Sequence, residues 1–431
     1  MALAERVLAP LYRMRTVMAA RTALPSQARV LHPATATPSA PAAPPAAPQE
    51  ALTIPCPDPT AEEQARDLHQ NAGLRLARQE DWAALSQQLR ALDADCAKTD
   101  GGMPIAELVA FGARADVVAA AEHALVTGRP AHGAPLLDGI EALEEVLAAH
   151  PDAPMIAAIV AHAHIDIGWA WRGTGWDIEV PLPTREAFEA HFERAGDILG
   201  PFTATGLRAP LIASAKCAFN AGPGSDIAQV VDDYEAWIAR DSRNPKAMRA
   251  FGGHLLPRWN GSYTRLEQQA RRVAGLTHDI WGAGGYAWVV LDAISTDTEA
   301  CARLALDFFL AGLRDILSYT RDQHIANLLA AYCANTMGAT PTGHDEADYI
   351  RAQIAKAAVW IVRDHLTELH PMLWAHATRG YDSTMRVRCR ERFAAAGYAD
   401  AVRVISDLFR REIAAGHRVV FTKDGPVTGP A

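Results

Sequence analysis

The sequence predicts an all-α protein built from stacked antiparallel helix hairpins, an α-solenoid. Three observations carry that prediction. Long stretches rich in Ala, Leu, Glu, Gln and Arg place apolar residues three and four apart, the period of a helix with one buried face. A helix–break–helix pattern recurs along the chain. Alternating β-branched runs are scarce: Ile178–Val180, Val289–Val290 and Val419–Phe421 are too short to build a sheet.

Taken in order, residues 1–22 read as an amphipathic helix. Arg6, Arg13, Arg15 and Arg21 interrupt its apolar residues, so it lacks the continuous core of a secretory signal. Residues 23–58 are rich in Pro and Ala and read as a disordered or semi-rigid linker, because proline removes backbone donors and little apolar bulk is available to bury. Residues 59–128 form a first helical segment, with helices expected over 60–75, 79–96 and 103–127. Residues 129–340 form the repeat core and 341–417 a set of C-terminal helices. Residues 418–431 read as a loose tail.

Two stretches of the core align. The segment at 144–173 reads EEVLAAHPDAPMIAAIVAHAHIDIGWAWRG and that at 235–261 reads EAWIARDSRNPKAMRAFGGHLLPRWNG. Setting Pro154 on Pro245 brings Glu144 onto Glu235, Leu147 onto Ile238 and Val160 onto Phe251. Each is a helix, a break and a second helix, with Asp152 in a capping position and Pro154 in the first turn. A looser copy, RDILSYTRDQHIANLLAAYCAN, spans 314–335 with Asp322 as its cap. Hairpins of this kind cannot bury their apolar faces alone and stack into a continuous core. The pattern resembles tetratricopeptide-type repeats. HLLPRWNGSYTRLEQQARRVA at 254–274 also resembles a signature of a bacterial family of helical-repeat proteins of unknown function, and that likeness implies a fold rather than an activity. Within it Pro257 and Gly261 break a helix, Ser262 caps the next, and Trp259 is expected as a buried wedge between them.

Composition narrows the function. The net charge is −9 over 431 residues, which argues against a general nucleic-acid binder. No run approaches the ~18 apolar residues of a membrane span. The six cysteines stand far apart and read as buried free thiols of a reducing cytoplasm. Lysine is scarce beside arginine and alanine, as in a GC-rich bacterial genome.

One stretch carries a chemical question. AHAHIDIGWAW at 161–171 locally resembles the H-x-H-x-D-x-x-W motif of class II α-mannosidases, whose second histidine and aspartate bind zinc. The resemblance implies His164 and Asp166 as metal ligands, and with them an alternative reading as a zinc-dependent glycosidase-like hydrolase. Against it, Ile156, Val160, Ala163, Ile167 and Ala170 form a stripe at helical spacing, closed by Arg172 and Gly173. On that helix His162, Asp166 and Trp169 share one face. The expectation is that this face packs against the next hairpin. If it lines a groove instead, it contacts a partner.

Seven of ten tryptophans (Trp169, Trp171, Trp176, Trp237, Trp259, Trp281 and Trp288) fall in one quarter of the chain, most of them expected as core anchors. GAGG at 282–285 lacks the lysine and hydroxyl of a phosphate loop, so its glycines read as sites of close helix approach. His365, His370 and His376 are spaced off any single helical face. The sequence therefore reads as a non-enzymatic scaffold that binds a protein or peptide partner in a concave groove and takes no cofactor. The candidate contacts are His162, Asp166, Trp169, Trp259 and Trp281.

Overall fold

The computed structural model describes residues 51–125, 136–173, 180–204, 209–338, 341–379 and 389–430, with residues 130, 134 and 387. The expected helix over 1–22 and most of the expected linker lie outside the described residues. The chain is predominantly helical, as expected. A short strand, β1 (Leu52–Thr53), precedes α1 (Ala61–Arg78), α2 (Trp82–Ala94) and α3 (Ile105–Ala124). There follow α4 (Asp138–Ala149), α5 (Pro154–Arg172), α6 (Leu182–Ala204), α7 (Pro210–Phe219), α8 (Ile227–Arg240) and α9 (Pro245–His254). After a 3-10 turn at Pro257–Trp259 come α10 (Tyr263–Leu276), α11 (His278–Trp281), α12 (Gly284–Thr296), α13 (Thr298–Ala302) and α14 (Leu306–Tyr319). The last group is α15 (Gln323–Ala331), which runs into a π-turn at Tyr332–Met337, then α16 (Asp345–His365), α17 (Pro371–Arg379), α18 (Arg390–Leu408) and α19 (Arg410–Ala414).

The aligned hairpins share a turn. In the first, Ala153 N–H donates to His150 O at 3.1 Å; in the second, Asn244 N–H donates to Asp241 O at 3.1 Å. His150 and Asp241 adopt nearly the same backbone angles, φ −130° and ψ 56° against φ −137° and ψ 66°. Pro154 and Pro245 then open the second helix where a missing N–H costs nothing. Asp152 is not the cap: Ala153 holds that position and offers no side-chain bond, whereas Asn244 Oδ1 caps α9. Ser262 and Asp322 do cap α10 and α15.

Most helices pack on the next element or the next but one, α1 on α3, α3 on α5, α5 on α7, α8 on α9 and α12 on α14, while α9 packs on α12, three helices along. Glycine permits the closest crossings. A Cβ on Gly112 would stand 1.8 Å from Gln70 O, and one on Gly73 would stand 1.9 Å from Val109 O, so α1 and α3 meet backbone to backbone. The core has two parts, both drawing on α7. Leu211, Ile212 and Ala215 join the part running from Leu85, while Ala213 and Cys217 join the part that reaches Phe421.

The C-terminal residues are a correction. Where a loose tail was expected, β2 (His417–Thr422) and β3 (Gly425–Pro430) pair antiparallel, and β1 adds to β2 in parallel, Leu52 opposite Val419. Val419 and Phe421 are buried. Leu369 N–H also donates to Pro55 O at 2.8 Å, and Arg390 pairs with Glu63 at 2.8 Å. The end of the expected linker is thus a strap joining the two ends of the described chain. Val289 and Val290, noted as a β-branched run, lie within α12. Only Cys217, Cys301 and Cys333 are buried thiols; Cys56 is exposed, and Cys96 and Cys389 are partly so.

Candidate functional site

Four helices turn one face each toward a common cavity of about 430 Å³. Every face follows helical spacing: Glu107, Phe111 and Arg114 on α3; His162, Asp166 and Trp169 on α5; Leu211, Ser214 and Ala218 on α7; Lys246, Ala250 and His254 on α9. Tyr234 and Trp237 of α8 complete the wall. His162, Asp166 and Trp169 therefore line an open cavity, where packing against the next hairpin was expected. The shared face itself is as the helical period requires.

The polar groups are arranged in pairs. Arg114 Nε donates to Asp166 Oδ2 at 2.7 Å, and the Lys246 ammonium pairs with Glu107. Tyr234 Oη and His254 Nδ1 are hydrogen-bonded at 2.6 Å. Burial holds the Tyr234 phenol protonated and pushes the His254 imidazole down to about 4, helped by Arg258. His162 is 8% exposed, lines the cavity, and makes no hydrogen bond among the described residues. Burial pushes its ring well below the usual imidazole range, and the charges of Arg114 and Lys246 push it further.

Trp259 is only partly buried, not the sealed wedge expected. It meets Trp169 edge-on at 6.3 Å between ring centres, and His254 at 5.9 Å. It thus joins two cavity-lining rings. Trp281 is not brought to the site. It is 4% exposed, donates from Nε1 to Ser242 O at 2.8 Å, and packs on the buried Trp288 and on Tyr319 at the surface. Trp171, Trp237 and Trp288 are also buried, whereas Trp176 lies outside the described residues.

His164 and Asp166 do not converge. The helix turns His164 away from the cavity into a sealed network, where its Nε2 lies 2.9 Å from Glu144 Oε1 and its Nδ1 lies 2.9 Å from His191 Nδ1. Arg194 grips the same Glu144 carboxylate through two bonds of 2.7 Å. Asp166 faces Arg114 on the other side. Among the described residues, no group of three or more His, Cys, Asp or Glu side chains is placed to hold a metal ion.

A second cavity of about 230 Å³ adjoins the first and shares Met103, Lys246 and Ala250 with it. Trp288 and Asp292 of α12, and His324 and Leu328 of α15, line its far side. Arg249 and Asp292 form a two-bond pair across it at 2.8 and 3.0 Å. The two cavities lie side by side, with Met103, Lys246 and Ala250 as common wall.

Reasoning from sequence did not reach Arg114, Glu107, Lys246, Tyr234 or His254. One signal for the last group was available. Lys246, Ala250 and His254 are four apart on α9, so their spacing alone sets them on one helical face.

No protein-family model, curated protein or solved structure matches this chain.

Proposed function

We propose that this protein is a non-enzymatic helical-repeat scaffold that holds an extended peptide segment of a partner protein along its inner groove. The observation that carries the reading is that two cavities lie side by side and share Met103, Lys246 and Ala250 as wall. A compact metabolite needs one enclosed site. A row of adjoining sites, lined by successive helices at one helical face each, suits an extended ligand. In this reading the hairpins stack as a solenoid and the groove is its concave side. Trp169, Phe111 and Trp259 offer rigid apolar contact, and the paired charges orient the ligand.

Ala250 lines both cavities, so Ala250→Trp obstructs them. Selection of phage-displayed dodecamers on the full chain is expected to enrich peptides whose binding the Ala250→Trp variant loses. Enriched peptides that bind both proteins equally, or selection that enriches none, would overturn the reading.

A further inference from the structure

We propose that the groove seats one carboxylate, the acidic side chain of the bound peptide, against His162 between Arg114 and Lys246. This rests on the peptide-binding reading above. His162 is more than nine-tenths buried, yet its ring nitrogens meet no partner among the described residues and face a cavity wide enough for a ligand atom. Around it stand Glu107 and Arg114 from α3, Asp166 from α5, Tyr234 from α8, and Lys246 and His254 from α9.

Glu107 Oε1 and Asp166 Oδ1 accept no bond among the described residues, and beside them stand several unengaged donors. Arg114 uses Nε on Asp166 and keeps both terminal nitrogens unengaged among the described residues. Lys246 has donors to spare beyond Glu107 and is 45% exposed. The Ser214 hydroxyl makes no bond among the described residues. Anionic oxygen is the acceptor that such donors hold best.

The size of the charge follows from the pairs. Arg114 and Lys246 each keep a carboxylate partner, so the free cluster is balanced, and a dianion such as phosphate would leave it in large negative excess. A single carboxylate is the smaller imbalance. Beyond burial, the charges of Arg114 and Lys246 also act on the His162 ring. Trp169 and Phe111 beside the cluster call for apolar residues flanking the acidic one.

The test uses two end-blocked peptides, acetyl-AFEFA-amide and acetyl-AFQFA-amide, titrated by calorimetry into the full chain. The acidic peptide is expected to bind about tenfold more tightly, the range of a charge-assisted contact. Lys246→Gln changes a half-exposed side chain and should shrink the preference below about threefold, and Arg114→Gln should do the same, with circular dichroism confirming each fold. Equal binding of both peptides overturns this inference and leaves the peptide-binding reading standing. Retention of the full preference in both variants also overturns it. If neither peptide binds, this inference falls, and the wider reading falls only if the library selection also enriches nothing.

Discussion

Glu144, His164, His191 and Arg194 show what a sealed polar network demands of each member. The carboxylate of Glu144 lies at about 2 despite its burial, because Arg194 and His164 both donate to it. An ionised Glu144 requires the proton of His164 on Nε2, which leaves Nδ1 to accept from His191 Nδ1–H. His191 Nε2 is then a bare acceptor, and it is buried without a partner. Removing Glu144 strands the buried Arg194 cation, so Glu144→Gln should cost about 3–5 kcal/mol in urea unfolding. Burial holds His162, His164 and His191 below the imidazole range of the unfolded chain, about 6.5. Acidification below that value protonates the unfolded chain first, so stability should fall by up to about 1.4 kcal/mol per group per pH unit. Glu144 has the opposite shift, and its contribution persists until the pH falls below about 4.5 toward 2. The urea midpoint should therefore drop between pH 7 and pH 5 through the histidines; an unchanged midpoint would contradict this. No sequence pattern announces the network, because its members sit on three helices and meet only through packing.

Among the elements, α5 was the most legible. Its apolar stripe, Pro154 at the start and Gly173 at φ 65° after the end all act locally, and local rules are what a sequence displays directly. What α5 faces is not local. The stripe shows which side of the helix is buried, but only the placement of α3, α7 and α9 decides that the other side borders a cavity. The β2–β3 hairpin was legible in part. Lys423-Asp424-Gly425 is a turn signal between two β-branched runs, and Gly425 takes φ 108° there. A two-stranded hairpin alone is marginal, and this one depends on β1, more than 360 residues earlier in the chain. The α1–α3 crossing offers a test at this scale. Gly112→Ala drives a methyl into the Gln70 carbonyl, so it should destabilise by about 3 kcal/mol, the upper end of overpacking costs. Ala substitution at Gly275, which has open space around its missing Cβ, should be neutral or slightly stabilising by the same denaturation measurement.

For the whole molecule, the strap ties residues near 52–66 to residues near 324–421. β1 lies on β2, Leu369 bonds Pro55, Arg390 pairs with Glu63, and Arg66 meets His324 at 3.1 Å. Phe421 is the apolar anchor of this closure and packs on Phe409 at 6.0 Å. Phe421→Ala should cost about 3–5 kcal/mol and release the strap, read as faster hydrogen exchange at Val419 and Leu369 together. Exchange that rises at one and not the other would show that the ends are not coupled. The closure leaves the groove as the place where helices from both parts of the core present polar and aromatic side chains to open space. Photo-crosslinking tests the central claim most directly: library-selected peptides carrying a benzophenone are irradiated on the full chain and the adducts mapped by mass spectrometry. Adducts are expected on the segments holding Phe111, Trp169 and Ala250. Adducts confined to the outer face of α1 around the exposed Leu68, or to the C-terminal hairpin, would contradict it.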